Sequence, residues 1–211
     1  CIRCGEFCAA EVNGKYYTDL QTAVNESAEK STIVMQNNAE IKNTLSISKD
    51  ITLDLNGFTL RMTGSGSVIR INENKTFELK DSSGSNAGKI TGGNSTDSGG
   101  GVYINNGIFN MTGGTIEKCN TDSYGGGVYV NYDCTFNMTG GIISNCTSNE
   151  FGGGVYVNGS GKIIMDNGRI SNCHAKTKYG GGIYFIGGVG SYTNGKKIKN
   201  SHITGCSAML G

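Results

Sequence analysis

The sequence contains no proline and no tryptophan, only two histidines, and 17% charged residues. Disordered chains are usually rich in proline and charge, so this composition is typical of a folded chain. The 18 basic and 17 acidic residues leave a net charge of +1. Taken as interspersed, they predict neither a nucleic-acid-binding surface nor attraction to an anionic membrane.

Long apolar runs are also missing, and no stretch is apolar enough over a sufficient length to span a bilayer. We therefore predict no membrane insertion of this chain. The chain begins at Cys1 without a methionine or a signal peptide, so we expect it to be a fragment of a longer protein. Its 211 residues are enough for one elongated domain.

Glycine, by contrast, is abundant, with 35 residues, and much of it recurs in a fixed pattern. The pattern is three consecutive glycines followed by an aliphatic residue and a tyrosine. It begins at Gly99, Gly125, Gly152 and Gly180, at offsets of 26, 27 and 28 residues. Such self-similarity at a fixed period is the signature of a repeat architecture.

Three strand-like segments recur within each repeat, for example residues 127–130, 135–138 and 141–146. One repeat is too short to bury its own apolar face, so neighbouring repeats must stack about 4.8 Å apart and share a core. We therefore predict an all-β fold, a parallel β-helix (solenoid) with coils of about 27 residues, over residues 31–211.

Alternation along these strands predicts which side chains point into the shared core. One apolar residue of each coil should stack on its equivalent in the next coil. The predicted inward residues are Val102, Val128, Val155 and Ile183; Ile104, Val130, Val157 and Phe185; Phe109, Phe136 and Ile163; Met111, Met138 and Met165; and Ile116, Ile143, Ile170 and Ile203.

A short α-helix is predicted at residues 18–30, where Thr18 and Gln21 form a capping box ahead of an apolar face. We expect this helix to cap the first coil, and residues 1–17 to be a linker that contains cysteines. The last coil is left open, so we expect the natural chain to continue beyond it. That open coil is a candidate surface for end-to-end association.

The segment ITLDLNGFTL at residues 51–60, followed by the GGGVYVN, FNMTGG and ISNC motifs, resembles right-handed β-helix repeat proteins. Such repeats occur in large surface proteins of anaerobic gut bacteria and in polymorphic outer-membrane, adhesin-like proteins. The resemblance covers about residues 31–211 and implies a right-handed, pectate-lyase-like superfold. It implies little about activity, because the same coils occur in lyases, hydrolases, adhesins and stalks.

Four cysteines follow the coil period, where the resembled family often has asparagine. They are Cys119, Cys146, Cys173 and Cys206, at offsets of 27, 27 and 33 residues. A functional interpretation makes them a redox or metal array. We favour a structural cysteine ladder of small apolar groups at a turn, because a linear stack of thiols lacks the tetrahedral geometry of a zinc site. Disulfide bonds between cysteines of adjacent coils are a further alternative, although such bonds would be strained.

The other cysteines give weaker signals. Cys1, Cys4 and Cys8 form a C-x2-C-x3-C motif. This motif is either part of a zinc site or disulfide knot, or it belongs to an ordinary linker with one disulfide. We slightly favour the linker, because three ligands make an incomplete metal site. Cys134 has no equivalent in other coils.

Two sets of aromatic residues recur with the coils. The tyrosines of the glycine motif should point outward, between inward aliphatic neighbours, and form a stripe suited to sugar rings or partner side chains. This stripe is Tyr103, Tyr129, Tyr156 and Tyr184, and a second column at the coil corner is Tyr124, Phe151 and Tyr179. The alternative is that stacked rings merely support the sheet.

Enzymes with this type of fold need clustered carboxylates, and the glycine-motif strands contain no Asp or Glu. We assign no catalytic residue and no cofactor. We predict a non-catalytic extracellular, cell-surface module, a presenting stalk whose aromatic face binds a glycan or a host surface protein. The alternatives are a polysaccharide lyase or glycoside hydrolase with its site in residues 41–93 or outside this chain, and a plain spacer.

Overall fold

The computed structural model describes residues 7–186 and 196–209. Within those ranges the chain forms one helix, α1 (Leu20–Glu26), and 27 short strands. In chain order the strands are β1 (Ala10–Val12), β2 (Lys15–Tyr17), β3 (Ser31–Met35), β4 (Ala39–Ile41), β5 (Leu45–Ile47), β6 (Ile51–Asp54), β7 (Thr59–Met62), β8 (Ile69–Ile71), β9 (Lys75–Lys80), β10 (Lys89–Thr91), β11 (Asn94–Ser95), β12 (Val102–Ile104), β13 (Gly107–Met111), β14 (Thr115–Glu117), β15 (Asn120–Thr121), β16 (Val128–Val130), β17 (Thr135–Met138), β18 (Ile142–Ser144), β19 (Thr147–Ser148), β20 (Val155–Val157), β21 (Lys162–Asp166), β22 (Arg169–Ser171), β23 (His174–Ala175), β24 (Ile183–Phe185), β25 (Lys196–Lys199), β26 (His202–Thr204) and β27 (Ser207–Ala208).

The strands form four sheets. Sheet A has the order β2-β1-β3-β6-β9-β13-β17-β21-β25, and sheet B the order β4-β7-β10-β14-β18-β22-β26. Sheet C has the order β5-β8-β12-β16-β20-β24, and sheet D the order β11-β15-β19-β23-β27. Apart from the antiparallel partners of β1, the strand pairings of the described chain are parallel. The fold is all-β, with parallel sheets stacked in the manner of a β-helix or solenoid.

Each strand pairs with the equivalent strand of the next repeat, and the register keeps equivalent residues opposite each other. Val128 lies between Val102 and Val155, and Phe136 lies between Phe109 and Ile163. The sequence predicts three strands per coil, whereas sheet D adds a fourth short strand to the later coils. Its strands have only two residues each, too few to show alternation.

The predicted inward residues form the core, and those from β12 to β22 are fully buried. The last described coil differs. Ile183 and Phe185 are only half-buried, and Ile203 is 41% exposed. β24 and β26 are the last strands of sheets C and B in the described structure, so the described residues cover the inner face of this coil from one side only.

The amino-terminal region differs from its prediction in two ways. Helix α1 is shorter than residues 18–30, and its cap is Asp19, whose carboxylate accepts a hydrogen bond from the Thr22 amide at 2.7 Å, not Thr18. Gln21 instead binds the backbone of Ser46 in β5. Residues 10–17, expected to be linker, form the β1–β2 hairpin, which extends sheet A beyond β3.

The three glycines of each motif are required by close backbone approach. Gly125 has a φ of +68°, which an L side chain rarely adopts. A Cβ atom on Gly126 would lie 2.5 Å from the Thr147 carbonyl oxygen in β19. A Cβ atom on Gly127 would lie 2.6 Å from Cγ2 of Ile143. The motif therefore lets the chain entering sheet C pass close to both sheet B and sheet D.

Candidate functional site: two aromatic ladders and a cysteine ladder

The glycine-motif tyrosines form one continuous column on the outer face of sheet C. The ring centroids of Tyr103 and Tyr129 are 4.9 Å apart, and those of Tyr129 and Tyr156 are 5.4 Å apart with an interplanar angle of 5°. Tyr184 continues the stack at 5.7 Å from Tyr156. Arg70 of β8 lies opposite Tyr103 in the register and places its guanidinium carbon 4.5 Å from that ring centroid, a cation–π contact.

The column is not the exposed stripe that the sequence predicts. Tyr129 is 7% exposed and Tyr156 is 4% exposed, while Tyr103 and Tyr184 are half-buried. Alternation correctly places these side chains outside the apolar core, but it does not show what covers them. Tyr129 is covered by its neighbours in the column, Tyr103 and Tyr156, and Tyr156 and Tyr184 also contact a second aromatic layer.

The second layer is the corner column of Tyr124, Phe151 and Tyr179. Tyr124 stacks on Tyr156 with centroids 4.8 Å apart, and Phe151 lies 4.5 Å from Tyr184. Tyr124 and Phe151 are half-buried, and Tyr179 is 46% exposed. Tyr124 and Phe151 therefore each cover a tyrosine of the next coil, Tyr179 extends the corner column by stacking on Phe151, and the two columns form one aromatic wall.

Polar groups beside the wall are paired with each other. Asn158 donates a hydrogen bond to the Tyr129 hydroxyl at 2.8 Å, and Asn131 donates to the carbonyl oxygen of Asn105 at 3.2 Å. Burial raises the pKa of Tyr129, and burial together with the neighbouring Tyr124 raises the pKa of Tyr156 to about 12. The hydroxyl groups thus stay protonated at neutral pH and act as fixed hydrogen-bonding groups.

Comparison with protein-family models, curated proteins and solved structures finds no match. In the described residues no helix has the length and hydrophobicity needed to cross a membrane.

The cysteine ladder lies at the corner between sheet B and sheet D. Cys119, Cys146 and Cys173 are fully buried, Cys206 is half-buried, and all four are free thiols. The Cys146 thiol donates to the carbonyl oxygen of Ser144 at 3.3 Å.

The electrostatic environment keeps the thiols of Cys146 and Cys173 protonated. The hydrogen bond with Cys146, followed by burial, raises the pKa of Cys173 to about 12. The hydrogen bond with Cys119, again followed by burial, raises the pKa of Cys146. A protonated, buried thiol is a poor nucleophile and a poor metal ligand, so the arrangement suits packing better than redox or metal chemistry.

Of the four remaining cysteines, the structure describes Cys8 and Cys134. Cys1 and Cys4 lie outside the described residues. Cys8 is buried, and its carbonyl oxygen accepts a hydrogen bond from Asn37 at 2.9 Å. Cys134 is buried, which raises its pKa. Among the described residues no group of three or more His, Cys, Asp or Glu is arranged to hold a metal ion.

A cleft on the outer face of sheet A was not singled out from the sequence. It has a volume of about 270 Å³, and its lining includes Lys30, Asp50 and Glu78. Asp50 accepts a hydrogen bond from the Thr76 amide at 2.7 Å, and Glu78 accepts one from the Thr112 hydroxyl at 3.1 Å. Asp50 and Glu78 belong to different strand regions, so only the stacking of coils brings them together.

Proposed function

We propose that this chain is a segment of a right-handed parallel β-helix that serves as a rigid, non-catalytic presenting stalk of an extracellular cell-surface protein. The observation that supports it best is the parallel, in-register pairing of equivalent residues through successive repeats. Each coil adds a fixed rise and contacts only its neighbours, so such a stack extends in one direction and holds whatever adjoins it at a set distance. In this proposal α1 and the β1–β2 hairpin cap the first coil.

Two features favour a supporting role for the aromatic wall over sugar binding. Tyr129 and Tyr156 are buried, and the faces of their rings are occupied by other rings. A sugar ring stacks on an aromatic face, so an occupied face offers it no platform. The accessible Tyr179 stays a candidate contact for a glycan or a host surface protein.

The surface location can be tested on intact cells of the source organism. Antibody against this chain should label intact cells, and external protease should remove the signal without lysis. Detection only after lysis would contradict the proposal. Turnover of a polysaccharide by the purified chain would contradict the non-catalytic assignment.

The cleft of Lys30, Asp50 and Glu78 supports a second candidate, a carbohydrate-active enzyme. Glycoside hydrolysis requires a pair of carboxylates, and two carboxylates line this cleft together with the cation of Lys30. Release of reducing ends from a polysaccharide by the wild-type chain, lost in both Asp50→Asn and Glu78→Gln variants of unchanged thermal stability, would favour this candidate. Absence of turnover across neutral and acidic polysaccharides would favour the stalk.

A further inference from the structure

The charges of the chain are not interspersed, contrary to the initial interpretation of the composition. Residues 151–211 contain seven Lys or Arg against the single acid Asp166, a formal charge of +6. Residues 1–150 contain 11 basic and 16 acidic residues, a formal charge of −5. The near-neutral total conceals two regions of opposite sign.

The register brings the basic residues of the last two described coils onto neighbouring outer surfaces. Lys162 begins β21 in sheet A, and Lys197 of β25 lies directly beside Ile164 of that strand. Arg169 begins β22 in sheet B, where His202 of β26 lies beside it. These four residues and Lys199 are exposed, and we call them the basic strip.

Among the described residues that pair with the basic strip in the register, Asp166, beside Lys199, is the one carboxylate. Within the described chain, its Lys and Arg side chains form no ion pair with a carboxylate, whereas five other lysines do. Asp166 accepts a hydrogen bond from Asn200 at 2.9 Å and forms no ion pair with Lys199, so one carboxylate stands against the three lysines and one arginine of the strip. Unpaired cations of one sign on adjoining surfaces produce a positive potential that attracts anionic partners.

Protection of a sheet edge explains only part of the strip. Lysines on an edge strand discourage edge-to-edge pairing, which accounts for Lys197 and Lys199 on β25. It does not account for Lys162 or Arg169, because β21 and β22 each have strand partners on both sides. A binding role accounts for all of them.

We propose that the basic strip binds an acidic polysaccharide, a chain bearing carboxylate or sulfate groups. The strip lies on open sheet surfaces that an extended polymer can follow across two coils. Single-stranded nucleic acid would need aromatic platforms for its bases. The aromatic wall lies instead on sheet C and its corner, away from sheets A and B. The inference does not depend on the stalk function.

Binding can be measured by calorimetry with polygalacturonate, dextran sulfate, neutral dextran and oligo-dT. The variant Lys162→Glu/Arg169→Glu changes the strip, and Lys42→Glu/Lys118→Glu makes the same charge change at exposed sites elsewhere. We expect the wild type to bind at least one acidic polysaccharide in a salt-sensitive manner, and not neutral dextran. The strip variant should lose about tenfold in affinity and the control variant less than about twofold.

Four results would overturn the proposal. These are no binding of either acidic polysaccharide by the wild type, equal loss in both variants, tighter binding of oligo-dT, or self-association of the wild type that the strip variant abolishes. Equal thermal stability of both variants ensures that a loss of affinity reports on the strip and not on folding.

Discussion

The thiol of Cys146 fills the space opposite Gly127 at the corner of its coil, where a Cβ atom on Gly127 would lie 3.5 Å from Cys146 Sγ. The same glycine position faces the ladder cysteine in the three other coils that carry the glycine motif. The corresponding distances are 3.5 Å for Gly101 and Cys119, 3.4 Å for Gly154 and Cys173, and 3.4 Å for Gly182 and Cys206. The glycine and cysteine repeats are therefore two halves of one packing unit.

Substitution of the glycine in this unit tests the packing. Gly127→Ala should lower the free energy of unfolding by about 1–3 kcal/mol, because the new methyl group overlaps Cγ2 of Ile143 and the carbonyl oxygen of Gly154. Gly84→Ala is the control, since Gly84 has a positive φ but no atom within 4 Å of the added Cβ. Urea denaturation should show the larger loss for Gly127→Ala, and an equal or smaller loss there would disprove the close packing.

The aromatic wall is expected to stabilise the fold. Tyr156→Ala removes a ring that stacks on Tyr124, Tyr129 and Tyr184, and should cost about 3–5 kcal/mol. Tyr132→Ala removes a ring that is 59% exposed and should change the unfolding free energy by less than about 0.5 kcal/mol. Similar melting temperatures for Tyr156→Ala and wild type would contradict a stabilising role of the wall and would favour a binding role.

The raised pKa of Cys173, caused first by its hydrogen bond with Cys146 and then by burial, predicts a loss of stability in alkali. The pKa of Cys173 rises from its ordinary 9.0 to about 12 on folding, so the folded state holds this proton more tightly. The contribution is complete below pH 9 and is lost as the pH rises from about 9 towards 12. The urea midpoint should fall from pH 8 to pH 10.5, and Cys173→Ala should reduce that fall. An identical pH dependence in the variant would contradict the assignment.

A charge placed inside the stack should prevent folding. Val128 is fully buried between Val102 and Val155, so Val128→Asp leaves a carboxylate without a partner in the shared core. The exposed Thr139, in the same repeat, provides the control Thr139→Asp. We expect circular dichroism to show loss of the cooperative transition only for Val128→Asp. A wild-type transition in that variant would reverse the inward assignment.

The sequence predicts the repeated core well because residues at equivalent positions of successive repeats are neighbours in the structure. Phe109 and Phe136 lie one coil apart in the sequence and are stacked with centroids 5.0 Å apart in the structure. The β1–β2 hairpin belongs to no repeat, so nothing in the pattern distinguishes it from a linker.

The candidate sites were less predictable because each depends on residues from different coils or corners. The burial of Tyr156 depends on Tyr124, which lies 32 residues earlier in the sequence. Alternation gives only the side of the strand on which Tyr156 lies. The cleft of Asp50 and Glu78 likewise forms only when two coils stack. The excess of basic residues in residues 151–211 can be counted in the sequence, but the net charge of the whole chain does not reveal it.

The stacking of coils is tested most directly by measuring one distance along the outer face of sheet A. Thr52 and Ile164 lie in one row, with Glu78, Asn110 and Asn137 between them in the register. Four inter-strand spacings separate the two positions, about 19 Å between Cα atoms. Spin labels introduced there through a keto amino acid should give a narrow double electron–electron resonance distribution centred near 2 nm. A broad distribution, or one centred beyond about 3 nm, would contradict a continuous parallel stack.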